Sequence, residues 1–125
     1  MRALLALLLV AAGAQADDVE RGRALVADRT QSLCLLCHAL TAAAGLDQAN
    51  QGNLAPPLDA VAARLSPKGL RERIADMRRF NPATVMPPFR STEGLRDVAP
   101  AWAGRPALTE QQLDDIVAYL GTLAK

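Results

Sequence analysis

The sequence predicts an all-α protein with one small domain, and three observations carry that expectation. Apolar residues recur at helical spacing in three stretches: Val19, Leu25 and Val26; Leu70, Ile74 and Met77; Leu113, Ile116, Val117 and Leu120. The stretches between them are broken by proline and glycine and show no βαβ alternation. The third observation is the run Cys34-Leu35-Leu36-Cys37-His38, a C-x-x-C-H pattern.

That pattern is the attachment site of a c-type haem. Two thiols on one short turn can add across the two vinyl groups of one haem edge, and the adjacent histidine is delivered to the iron as axial ligand. Cys34 and Cys37 are therefore expected to hold one haem c covalently, with His38 on the iron. Three rival readings compete. A thioredoxin-like dithiol belongs beside a βαβ pattern. A zinc site needs about four ligands, and two cysteines with one histidine would have to recruit a carboxylate. The third is a pair of ordinary buried cysteines beside a chance histidine. Aromatic residues are only 3% of the chain, so its centre suits a macrocycle that supplies the missing apolar area.

In chain order, residues 1–16 look like a secretory leader. Arg2 gives the positive start, residues 3–12 the apolar run, and Ala14-Gln15-Ala16 the small-residue cleavage box. The run falls short of the about 20 residues that a membrane-spanning helix needs. The domain is expected at residues 17–125, in the periplasm, where c-type attachment takes place in bacteria. With 14 basic and 13 acidic side chains, and Arg2 lost with the leader, the charges match and nucleic acid is not an implied partner. Asp17 and Asp18 are expected to cap a first helix. Gly22 within it costs about 1 kcal/mol against alanine, offset if another helix approaches closely there; a merely tolerated glycine is the other reading.

Residues 28–32 read as a polar excursion, and residues 39–53 as loop. A ligating histidine usually gives its second ring N–H to an acceptor. The Pro56 carbonyl is the candidate acceptor for His38, with Leu58 packing on the ring, against the alternative of an ordinary Pro-Pro turn. Helices are expected over 58–65 and 67–80, with Ser66 capping and Pro67 at the first helical position. The second carries many arginines, which read either as a solvated face or as an anion-facing patch. With no second histidine, the iron's sixth ligand is Met86, in a proline-stiffened loop, or Met77, expected as packing on the helical stripe; Met86 is preferred. Trp102 is expected to plug a gap near the haem, and Thr109 with Gln112 to form a capping box for the last helix.

Helix, C-x-x-C-H, Pro-rich turn, middle helices, Met-Pro loop and terminal helix together resemble a class I cytochrome c. In that family a first-helix glycine packs on the last helix near an aromatic, matching Gly22 and Tyr119, and its Pro-x-Leu and Met-Pro match Pro56, Leu58 and Met86. The interval from Gly22 to Cys34 is longer than is usual there. Narrower segments resemble SoxX, the monohaem subunit of the periplasmic sulfur-oxidation cytochrome SoxXA. They include Gln51-Gly52-Asn53-Leu54-Ala55-Pro56, Asn81-Pro82-Ala83-Thr84-Val85-Met86-Pro87 and Gly94-Leu95-Arg96-Asp97-Val98-Ala99-Pro100.

The resemblance implies a heterodimer with a SoxA-like haem subunit, in which thiosulfate is joined oxidatively to a cysteine of a SoxYZ-like carrier. That is L-cysteine S-thiosulfotransferase chemistry, with the catalytic haem on the partner. This chain would be the non-catalytic subunit that takes the electrons and passes them to a downstream cytochrome. A free-standing cytochrome c shuttle is the alternative, and a gas-binding or sensor haem protein with an open sixth site is a second.

Overall fold

Helix α1 runs unbroken over Arg2–Ala27 in the computed structural model, which describes residues 2–43 and 45–125. Met1 of the expected leader and Ala44 of the expected loop lie outside the described residues, as do the side chains of residues 2–12 and 14. The cap expected at Asp17 and Asp18 is not a helix start, because both lie inside α1. Residues 3–16 are chiefly alanine and leucine, strong helix formers that carry the helix through. Among the described residues no helix is long and apolar enough to cross a membrane, and there is no strand.

The remaining helices are α2 (Cys34–Cys37), α3 (Val61–Arg64), α4 (Pro67–Ala75) and α5 (Glu110–Leu120), with 3-10 turns at Met77–Arg79 and Pro100–Trp102. The helix expected over 58–65 shrinks to the single turn α3. Leu58 N–H is spent on the Ala39 carbonyl, and Ala60 sits in the left-handed region at φ 53°. Helix α4 begins as expected, with Ser66 Oγ accepting from Gly69 N–H at 3.1 Å and Pro67 in the first turn. It stops earlier than expected. Asp76 turns extended, at φ −160°, and its carboxylate accepts from Arg78 N–H at 3.1 Å to cap a 3-10 turn. Met77 opens that turn and so is not on the stripe of α4.

The frame is the crossing of α1 and α5. A Cβ built on Gly22 would lie 1.9 Å from the Asp115 carbonyl oxygen and 2.8 Å from Tyr119 Cβ, so the helices touch backbone to backbone there. Val26, Leu113, Ile116 and Leu120 fill the angle between them, joined in one buried cluster by Leu35, Leu40 and Leu108. The capping box on α5 is complete: Gln112 N–H donates to Thr109 Oγ1 at 3.1 Å, and Thr109 N–H to Gln112 Oε1 at 2.9 Å.

Beside Gly22, the Arg21 guanidinium forks onto Asp115, with 2.9 and 3.1 Å contacts, and also pairs with Asp18. Gln111 Nε2 adds a 2.8 Å bond to the same buried carboxylate. Burial pushes the Asp115 carboxyl up, but these donors outweigh it and hold the group below its ordinary range.

The arginines around α4 resolve mostly into internal ties. Arg71 bridges to Asp114 (3.0 Å) and Glu110, Arg90 reaches Glu110 at 2.8 Å, and Arg78 pairs with Asp76 at 2.7 Å. Arg73 stacks over the Phe80 ring, 4.2 Å from its centroid. Pairing of this kind binds α4 and the 77–90 segment to α5 and cancels much of the positive field.

Candidate functional site

The attachment turn is built by its flanks. Asp28 Oδ1 accepts from Thr30 N–H (2.7 Å), Thr30 Oγ1 (2.7 Å) and Gln31 N–H (3.1 Å), which makes the 28–32 excursion a fixed loop. Ser32, fully buried, donates to the Leu25 carbonyl at 2.5 Å. Leu33 then adopts the left-handed region at φ 61°, a strained choice for leucine that swings the chain into α2. His38 N–H closes the turn on the Cys34 carbonyl at 2.9 Å. Cys34 and Cys37 form no disulfide, and burial pushes the Cys34 thiol up.

His38 Nδ1 lies 2.6 Å from the Pro56 carbonyl oxygen. With Nδ1 bearing the proton and donating to that carbonyl, Nε2 is left as the ring's free lone pair. Leu58 is half-buried against the core and is tied by its N–H to Ala39, next to His38, at 2.8 Å. The carbonyls that follow Pro56 are pinned as well. Arg64 donates to Pro57 O at 2.7 Å and to Asp59 O at 2.9 Å.

Three further residues hold this side of the site and escaped the sequence reading. A Cβ on Gly52 would sit 2.1 Å from the Leu36 carbonyl and 2.8 Å from Cys37 Cα, so only glycine lets the 45–53 loop lie against the attachment turn. Gly52 N–H donates to Leu35 O at 2.9 Å from that position. Gln51 grips Leu40 from both ends of its amide, accepting from Leu40 N–H at 2.6 Å and donating to Leu40 O at 3.2 Å. Asp59 accepts from the N–H groups of Thr41 (3.1 Å) and Ala42 (2.7 Å), and its carboxyl is held below the ordinary range mainly by the Ala42 bond. The only advance signal for any of these was the segment around Gln51-Gly52.

Met86 stands on a separate loop, strapped by its own side chains. Ala83 N–H donates to Asn81 Oδ1 at 3.1 Å, and Met86 N–H to Thr84 Oγ1 at 3.1 Å. Met86 is half-buried, and it packs against the same buried cluster as Cys34 and Leu58. Trp102, 49% exposed, walls a depression together with Thr30, Gln31 and Ala107.

The arrangement fits a haem c on the chemistry of its donors: two unpaired thiols on one helical turn, an imidazole whose Nδ1 meets a carbonyl, and a thioether on the shared core. The family model described as Cytochrome c matches residues 19–124. Curated protein sequences give no match. Among solved structures the chain is similar to the crystal structure of SoxXA from P. pantotrophus, at 29% identity and a TM-score of 0.75, over 85% of this chain and 81% of that one.

Proposed function

The chain belongs to the cytochrome c family, and from that premise we propose that it is the monohaem electron-transfer subunit of a SoxXA-type complex in the periplasm. The family carries covalent haem c and transfers electrons; the family match and the likeness to SoxXA support a SoxX-type cytochrome. When bound, the haem supplies a one-electron couple between ferric and ferrous iron. In this reading the Cys34 and Cys37 thiols would hold the haem as thioethers and His38 Nε2 would ligate its iron. The Pro56 carbonyl keeps the proton on Nδ1, fixing tautomer and ring angle. Met86 would supply a soft thioether to the same iron, which favours the ferrous state, and Leu58 would pack beside His38. Residues 1–16 are the leader, and their removal leaves Asp17 and Asp18 at the start of the shortened α1, where acidic side chains suit the helix dipole.

The partner would be a SoxA-like haem subunit, at which thiosulfate is coupled to a cysteine of a SoxYZ-like carrier. This chain accepts the electrons released there and hands them to a downstream cytochrome. The observation that carries the reading is the attachment turn, with its histidine tied to Pro56, in a chain whose fold is similar to SoxXA. Two measurements test it. The chain expressed with a leader-competent export system should keep its haem on a denaturing gel, and Cys34→Ser or Cys37→Ser should greatly reduce the loaded protein. With its cognate SoxA-like subunit and carrier added, thiosulfate should reduce the haem. Reduction by another donor and not by this system would favour a free-standing shuttle.

A further inference from the structure

The loop that presents Met86 makes few ties of its own to the body. Among the described residues, the hydrogen bonds of residues 82–88 all stay within the loop. Thr84 N–H donates to Asn81 O at 3.0 Å, Ala83 N–H to Asn81 Oδ1 at 3.1 Å and Met86 N–H to Thr84 Oγ1 at 3.1 Å. Its entry hangs on the 3-10 turn through Asn81 N–H on Met77 O at 2.9 Å. Its exit, Phe89 and Arg90, is held on two sides. Phe89 N–H donates to Ile74 O at 3.4 Å and Arg90 N–H to Ala75 O at 3.0 Å, while Phe89 O accepts from Leu108 N–H at 3.0 Å.

The Arg90 side chain completes this clamp. Its Nη1 donates to Leu108 O at 2.5 Å, and its Nε and Nη2 reach Glu110 Oε1 at 3.0 and 2.8 Å. One residue thereby ties the loop's exit to the end of α4 and to the start of α5. An exposed ion pair alone would add little, and Glu110 is 60% exposed. The bond to the Leu108 carbonyl is of another kind. It is charge-assisted, it lands on backbone, and the arginine that makes it is only 25% exposed.

Pro87 and Pro88 are the whole distance between Met86 and Phe89. Each proline locks φ near −65°, and consecutive prolines act as a stiff spacer. A shift at Phe89 and Arg90 is therefore passed along to Met86 and is not absorbed on the way. A functional side chain is held only as well as the groups behind it. We infer that Arg90 is a positioning residue for Met86: clamped to α4 and α5, it sets through Pro87-Pro88 where the thioether is presented. The inference rests on Met86 as the sixth ligand, as proposed above, and names what holds it there.

The test titrates the ferric, haem-loaded chain with imidazole and follows loss of the near-infrared sulfur band. Imidazole reaches the iron only where Met86 has let go, so its apparent Kd falls as that fraction rises. Arg90→Ala should lower this Kd at least about tenfold, the change that losing one hydrogen bond to a charged group brings. Arg90→Lys keeps the charge and one donor centre, and should shift it less, in the same direction. Gly22→Ala strains the distant α1–α5 crossing and should change Kd less than about twofold, although it lowers the thermal midpoint. Pro88→Gly puts slack between clamp and ligand. It should lower Kd by itself, and Arg90→Ala on top of it should add less than about twofold, since coupled sites are not additive. An Arg90→Ala chain that binds imidazole as the wild type does overturns the inference and leaves Met86 as the ligand. Equal shifts in Arg90→Ala and Gly22→Ala would mean general loosening, and full additivity with Pro88→Gly would mean no transmission; either overturns it. If the wild-type chain shows no sulfur band, the Met86 reading fails and the inference falls with it.

Discussion

Replacing Gly22 with alanine puts the α1–α5 crossing to a direct test. The added methyl would start 1.9 Å from the Asp115 carbonyl oxygen and 2.6 Å from its carbon, whereas ordinary contact begins near 3.4 Å. The obstacle is helix backbone, which cannot rotate away as a side-chain tip can. Relief therefore means parting the two helices by about 1.5 Å in a core packed as densely as a crystal. Overpacking of this kind costs typically about 1–3 kcal/mol, and a clash against backbone belongs at the upper end. Alanine returns about 1 kcal/mol through its better helix propensity. The net loss is about 2 kcal/mol, and more if the Arg21–Asp115 fork is pulled apart. At about 4–8 °C per kcal/mol for a domain of this size, the thermal midpoint should drop by about 8–16 °C. Circular dichroism of the haem-loaded protein reads it directly. Gly69→Ala is the internal control. Its methyl would meet only side-chain atoms, Ser66 Oγ at 3.3 Å, the end of Arg73 at 3.4 Å and Leu65 Cδ2 at 3.9 Å, so it should be neutral or stabilising by up to about 1 kcal/mol. Equal behaviour of the two variants would refute the close crossing.

Other substitutions probe separate parts of the molecule. Gly52→Ala drives a methyl into the attachment turn and should sharply lower the yield of haem-loaded protein, scored by haem stain against total protein. Asp115→Asn should destabilise the fold at neutral pH, and its deficit should narrow in acid. The folded carboxyl titrates below its unfolded value of about 3.9, so its contribution is present above that pH and is lost as pH falls through the lower folded value. Denaturant titrations at pH 7 and pH 3 read the difference. Met86→Ala should erase the near-infrared sulfur–ferric band and admit carbon monoxide, while Met77→Leu should leave the spectrum alone and cost under about 1.5 kcal/mol. The reverse result would exchange the two methionines' roles. Tyr119→Phe should be neutral or stabilising by about 1 kcal/mol in thermal unfolding, because the hydroxyl is buried without a partner among the described residues.

What could be read in advance followed local rules. The caps at Ser66 and Thr109, the contact between Gly22 and the last helix, and the Pro56 carbonyl within reach of His38 each depend on short spacing or on a known glycine–helix geometry. What escaped the reading joins distant side chains to backbone groups of loops, where no period exists to betray it. Gln51 on Leu40, Asp59 on the 41–42 amides and Arg64 on the 57 and 59 carbonyls are of this kind. Asp115 looked like one more polar residue of α5, and it becomes a buried anchor only once Arg21 arrives from the far end of the chain. The misjudged end of α4 has a similar origin. Asp76 is an unremarkable helix residue until its carboxylate captures the Arg78 amide and turns the chain out of the helix.

The crossing of α1 and α5 also fixes an order of events as the chain folds. Arg21 and Asp115 are separated by 94 positions, and contacts so far apart in sequence form late. In a chain that folds only after export, the first helix keeps its apolar side uncovered until the far end of the chain has come back onto it. The attachment turn follows α1 closely, and Gly52, Ala55 and Pro56, which close over it, come soon after. Until α5 arrives there is no finished core to lock these segments in place. For that interval Cys34 and Cys37 remain accessible, and a cofactor joined to them then becomes the surface on which the later segments assemble.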